Sequence, residues 1–300
     1  MKTAPAARSS AAPLADADPA APAAILLVDN GSLEPRAILA LRALAARLGA
    51  ALGQAVDPVS LLHSDRVPAP RLGGRPAETL VPALERRARA GRNELEVVPL
   101  FFGPSAGLTS FLPRQVSALG ARFPHLRVRA ARCLVDPAAS ADGRVAGMIV
   151  DHVRAAMTGG GAPPAVILVD HGSPTPAVGA VRQHLAGQLA DRLGAEVRAV
   201  LAASMERRPG PAYDFNDPLL AQAFDRPGFG EGDVIVALQF LLPGRHAGPG
   251  GDVARICAAA RRRHSGLRPV TTELVGAHPG LVDLLADRAR EAMAFAPLQA

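Results

Sequence analysis

The chain carries one opening phrase twice. Residues 24–35 read AILLVDNGSLEP and residues 165–176 read AVILVDHGSPTP, an offset of 141 residues. A repeat of that length means that whatever fold the first copy adopts, the second adopts again. The 300 residues therefore divide into two units, each long enough to bury a core of its own. In both copies an unbroken aliphatic run ends in Asp and is followed by a Gly-Ser turn. Aliphatic text without alternation is what a strand buried on both faces requires. Helical text follows, AILALRALAARLGA and VGAVRQHLAGQLADRLGA, with apolar residues three and four apart and a glycine stop. ELEVVPLFF and DVIVALQFLL read as further buried strands, each leading through a Gly/Pro-rich loop into a helix. A last strand and a terminal helix close each copy. Regular alternation of strand and helix predicts an α/β chain: two tandem, doubly wound, parallel-sheet domains from an internal duplication. The expected borders are 24–157 and 165–298. They are joined by the linker TGGGAPP at 158–164 and preceded by an Ala/Pro-rich tail over 1–23 that is expected to be disordered.

Several classes are excluded early. No apolar run reaches the ~18 residues of a membrane span, and Asp16 and Asp18 break the tail as a secretory signal. Cys133 and Cys257 fall in different copies, which favours two reduced thiols and a cytoplasmic protein. The formal net charge is +6, carried by arginine with Lys2 as the single lysine, and it favours an anionic ligand. Nucleic acid is not that ligand by this reading, because aromatic residues are few and no recognition motif is present. Neither a Walker loop nor a dinucleotide fingerprint appears, so no organic cofactor is expected.

Ligands of open parallel sheets bind at the carboxyl ends of the strands. His171 stands at such an end, where the first copy has Asn30. Alone it could simply cap the following helix. His246, in LLPGRHAGPGGD after a later strand, could alone be a solvated loop residue. Together, two imidazoles at two strand ends of one domain point to a divalent metal. Glu206, in AASMERR, follows a third strand and offers a carboxylate, with pairing to Arg207 or Arg208 as the competing role. The first copy acts as an internal control. At the same offset Asp65 stands for Glu206, and the loop LFFGPSAGLTSF has no histidine, so both histidines are missing together. His63, beside Asp65, reads as a buried or capping residue. Ser173 lacks the G-x-S-x-G context of a nucleophile and reads as a helix N-cap. The GPGG stretch at 248–251 is too generic to assign to phosphate, and Arg261–Arg263 reads as a solvated face.

At DHGSP, SMERR and FLLPGRHAGPGGD the sequence resembles the sirohydrochlorin chelatase family, small class II enzymes that place cobalt or iron in a tetrapyrrole. The resemblance extends over residues 24–298. It implies that His171, His246 and Glu206 form the catalytic and metal-binding set, with the divalent metal (Co2+ or Fe2+, Ni2+ as a third candidate) as a substrate. It also implies an anionic tetrapyrrole partner, whose carboxylates Arg207, Arg208 and Arg245, with Ser173, would bind. The chain is then expected to act alone or as a homodimer, in cobalamin or sirohaem biosynthesis. A metal or tetrapyrrole carrier that releases no product is the alternative left open by the same residues.

Overall fold

A computed structural model describes residues 23–138, 141–157, 161–248 and 250–298. The expected tail lies outside these residues except for residue 23, as does the 158–160 part of the expected linker. The first half runs β1 (Ala24–Asp29), α1 (Pro35–Leu52), β2 (Val56–Ser60), α2 (Leu80–Arg89), β3 (Glu94–Pro99), α3 (Leu112–Gly120), β4 (Arg127–Ala130) and α4 (Arg144–Ala156). The second half runs β5 (Ala165–Asp170), α5 (Pro176–Leu193), β6 (Ala199–Ser204), α6 (Leu220–Ala223), β7 (Gly232–Leu238), α7 (Asp252–Arg263), β8 (Leu267–Thr271) and α8 (Gly280–Ala292). Each half holds one four-stranded sheet, ordered β2-β1-β3-β4 and β6-β5-β7-β8. Every strand pair is parallel. The duplicated α/β fold expected from the repeat is the fold observed.

The central strands are the two copies of the opening phrase, and all six residues of each are buried. Their alternate side chains serve different layers. Leu26 and Val28 point into a core of the first half with Leu84, Val116 and Leu119. Val169 and Ile167 do the same in the second half with Phe224, Val253 and Cys257. The opposite faces, Ile25 and Leu27 on β1 and Val166 and Leu168 on β5, join one shared core that lies between the sheets. That middle layer is made of α1, α4, α5 and α8. Proline in the first turn starts both α1 and α5, where its missing N–H costs nothing.

The terminal helix of each half covers the other half's sheet. Helix α4 packs on α5 and β7, and α8 packs on α1 and β3. The two copies are thus interlocked, and the second sheet is completed by a helix from the first copy. Burial pushes the thiols of Cys133 and Cys257 up to about 11, so both are unreactive near neutral pH. Among the described residues no helix is long and apolar enough to cross a membrane.

Candidate metal centre

The carboxyl end of β5 carries His171, the first residue after the buried Asp170. Next comes Gly172, whose φ of +89° is open to glycine at little cost. A Cβ on Gly172 would lie 2.0 Å from the carbonyl oxygen of Glu206, so only glycine lets this turn and the end of β6 meet. The turn is fixed from below. Asp170 Oδ1 accepts the Gly172 N–H at 3.0 Å and Arg182 Nη1 at 2.8 Å. The Arg182 side chain is completely buried, and its Nη2 donates to the Phe215 carbonyl at 2.6 Å. The buried Asn216 accepts the Ser173 N–H through Oδ1 and donates to the Ser173 carbonyl through Nδ2, both at 3.0 Å. Ser173 Oγ in turn accepts the Thr175 N–H at 3.0 Å. Ser173 therefore braces the helix entry, with Thr175 as the N-cap position of α5, two residues later than the sequence suggested.

His246 arrives on the loop between β7 and α7. The two imidazoles meet edge to face, 4.5 Å between centroids, with Nε2 to Nε2 at 3.0 Å. Glu206 Oε1 lies 3.4 Å from His171 Nε2. An ion bound at ~2.1 Å holds two nitrogens about 3.0 Å apart at a right angle and about 3.4 Å apart at the tetrahedral angle. The pair is therefore spaced as two ligands of one ion. Behind His246, Asp252 Oδ2 approaches Nδ1 at 2.8 Å, an ion-pair contact out of hydrogen-bond alignment. Burial, then the neighbouring His171 charge, holds the His246 imidazole below its ordinary pKa, with Asp252 opposing. Among the described residues no group of three or more His, Cys, Asp or Glu side chains is placed to hold a metal ion together. The arrangement is two imidazoles with a well exposed carboxylate beside one of them, an open set and not a structural site.

The histidine loop borders an open groove of about 350 Å3 lined by Met205, Glu206, Arg245, Arg255 and Ile256 among others. A tighter cavity of about 290 Å3 lies in the first half among Arg42, Asp57, Arg75, Glu78 and Arg86, but it contains neither histidine. Of the arginines expected to meet an anion, Arg245 projects into solvent with 78% of its side chain exposed, near Asp252. Arg208 is exposed and stacks 5.9 Å over Tyr213. Arg207 is already engaged: it pairs with Asp217, and its Nη2 donates to Asp214 at 2.6 Å and to the Gly210 carbonyl at 2.8 Å.

The first half has lost the whole constellation. Asn30 replaces His171, as the sequence shows. The pairing of Asp65 with Glu206 needs correction, because the repeat offset does not persist beyond the first helix. Asp29 registers with Ser60 and Asp170 with Ser204, which puts Leu62 in the place of Glu206. The glycines agree: the missing Cβ of Gly31 would meet the Leu62 carbonyl just as that of Gly172 would meet Glu206. Gly107, whose Cβ would approach Asn30 Oδ1 at 4.0 Å, lies where His246 stands in the second half. His63 neither joins this set nor hides in the core. It is exposed at φ +72° ahead of a single 3₁₀ turn that includes Asp65. Arg182 is replaced by Leu41, so Asp29 is left with Ser60 and backbone N–H groups but no cation. Burial pushes its carboxyl up to about 6. The supports Asp170, Arg182, Asn216 and Asp252 were missed in the sequence. The Arg182-to-Leu41 difference, at the same offset as His171 and Asn30, was the signal available.

Residues 165–292 match the CbiX family model. No curated protein matches the chain. Among solved structures, SirB from Bacillus subtilis with Fe3+ is similar at 17% identity and a TM-score of 0.67, over 90% of this chain and 95% of that one. The sirohydrochlorin chelatase SirB from Bacillus subtilis subspecies spizizenii in complex with cobalt is similar at 16% and 0.66, over 92% and 99%. CbiX, described as the terminal enzyme for biosynthesis of siroheme in denitrifying bacteria, is similar at 20% and 0.57, over 90% and 99%.

Proposed function

We propose that the chain, whose residues 165–292 match the CbiX family model, inserts a divalent metal into sirohydrochlorin or a close relative, as the sirohydrochlorin chelatases its sequence resembles do. The structural relatives were solved with Fe3+ and with cobalt; for this chain the proposed metals are Co2+ and Fe2+, and nickel suits the same donors, since nitrogen and oxygen ligands order these ions alike. The observation that carries the reading is the 3.0 Å approach of His171 Nε2 to His246 Nε2 at the ends of two parallel strands.

Insertion asks for an ion held firmly enough to be presented and loosely enough to be released to four pyrrole nitrogens. Two imidazoles and one carboxylate leave coordination positions open for that exchange. In this reading His246, backed by Asp252 and with its protonated form disfavoured by burial, anchors the ion. His171, half exposed and beside Glu206, shares the ion and then accepts the two pyrrole N–H protons in turn as the metal leaves, passing each to solvent. Arg245 and Arg208, which keep exposed guanidinium groups, would meet the carboxylates of the macrocycle. Arg207 would act behind them, holding the 206–217 loop through Asp214 and Asp217.

The test is turnover. Protein at catalytic concentration is mixed with Co2+ and sirohydrochlorin, and the absorption change of the macrocycle is followed. The expected result is many equivalents of product, with His171→Ala and His246→Ala each slowing the rate by about 100-fold or more. Conversion that stops at one equivalent would mark a carrier. Full activity in the double variant would remove the histidines from the mechanism.

A further inference from the structure

The loop carrying His246 has no helix or strand over Gln239–Gly248 and Gly250–Gly251, and it is rich in glycine. Ordering such a segment is costly in entropy, so what holds it matters. Most of its hydrogen bonds are internal or made to the start of α7: Gly244 N to Ala247 O at 3.1 Å, Gly251 N to Gly248 O at 3.0 Å, and Val253 N to His246 O at 3.1 Å. They shape the loop and tie its end to α7. At its start the loop is tied down within the second half, where Val275 N donates to Phe240 O at 3.0 Å. Gly276 there lies so close to Leu241 that a Cβ would meet its carbonyl oxygen at 1.6 Å. Toward His246 the loop is fastened to α7, through Asp252 beside His246 Nδ1 and Asp252 N to Arg245 O at 3.2 Å, and also to the other copy. Arg36 Nη2 donates to the Gly244 carbonyl at 2.6 Å, and Arg36 Nη1 lies 3.2 Å from where a Cβ on Gly248 would sit.

Two features argue that this contact is built for the loop. Arg36 occupies the first turn of α1, where a cation opposes the helix macrodipole. A positive charge there lowers helix stability unless it has work elsewhere. The contact is also one-sided. The position equivalent to Arg36 on α5, 141 residues on, is Ala177, which has nothing to offer the histidine-free loop of the first half. The arginine stands only where it faces the loop with the histidine.

We infer that Arg36 is a positioning residue: the first half, without a metal site of its own, holds the His246 loop of the second half in its ion-binding arrangement through the Gly244 carbonyl. This rests on the reading of His246 as a ligand of the metal substrate. The experiment uses the full chain, wild type and the variants Arg36→Ala, Arg36→Lys and His246→Ala, with Co2+ alone as the probe and no tetrapyrrole. Co2+ binding is measured by calorimetry and by the visible d–d spectrum. Amide exchange is followed over residues 241–251, together with the thermal midpoint.

Arg36→Ala is expected to weaken Co2+ binding by roughly tenfold, the lower end of what loss of a supporting contact costs a metal site. It should also speed exchange in the loop and leave the thermal midpoint in place. Arg36→Lys should recover part of the affinity, since an ammonium can still donate to one carbonyl. Unchanged Co2+ affinity in Arg36→Ala, with His246→Ala losing it, overturns the inference even if the KM for tetrapyrrole rises, because Arg36 would then be a substrate contact. Unchanged loop exchange in Arg36→Ala overturns it independently of any metal. Wild-type protein that binds Co2+ no better than His246→Ala instead brings down the reading of the site itself.

Discussion

A single buried carboxylate shows how far the two copies have diverged. Asp170 and Asp29 occupy the same place, both buried, and burial raises both carboxyls. At Asp170 the Arg182 cation opposes that rise, and the pair is used to brace the turn bearing His171. At Asp29 the cation is gone, and the carboxyl reaches about 6. A folded-state value above the unfolded one means that the native state prefers the protonated form. Stability contributed by that preference is full below about pH 4 and is lost as pH rises to about 6. Asp29→Asn should therefore stabilise the chain at pH 8 by ~1–3 kcal/mol and give no advantage at pH 4. Denaturant midpoints at the two pH values check this, and an equal effect at both would refute it. The same comparison explains what a reader of the sequence could see. The exchange of His171 for Asn30 was visible because the flanking residues match. The exchange of Arg182 for Leu41 was equally visible in principle, but an arginine on a helix ordinarily reads as solvated and not as the support of the turn that carries His171.

At the scale of elements, strands and helices were legible because fully buried strands write continuous aliphatic text and helices write three- and four-residue spacing. Register was not legible. Helices α1 and α5 keep the 141-residue offset at both ends, but a short 3₁₀ segment at Gly194–Glu196 then lengthens the second copy before β6. Carrying the offset past it made Asp65 the partner of Glu206, whereas Leu62 holds that position. The turn after β5 explains why so little else could stand there. Gly172→Ala would place a Cβ 2.0 Å from the Glu206 carbonyl oxygen at a positive φ, so strand end and turn must part. We expect a loss of roughly 1–3 kcal/mol in stability and, because Glu206 and His171 move apart, a larger loss of Co2+ affinity than the unfolding midpoint alone would suggest. Retained affinity in this variant would mean that the ion does not need both groups.

The whole molecule could be read as a duplication but not as an interlocked one. Each terminal helix is amphipathic, and an amphipathic helix fits its own sheet or the neighbouring one equally well on periodicity alone. Only the packed structure assigns α4 to β7 and α8 to β3. The interlocking gives the first half a part in a site to which it contributes no metal ligand: it covers the second sheet and sets Arg36 against the histidine loop. If that division between the halves is right, a bound ion has one address. Crystals of the full chain grown with Co2+, with anomalous scattering recorded at the cobalt edge, measure the address directly. The account predicts a single strong peak within bonding distance of both His171 Nε2 and His246 Nε2, with Glu206 drawn toward it. A peak in the first half beside Asn30, or one in the second half that touches neither imidazole, would contradict it.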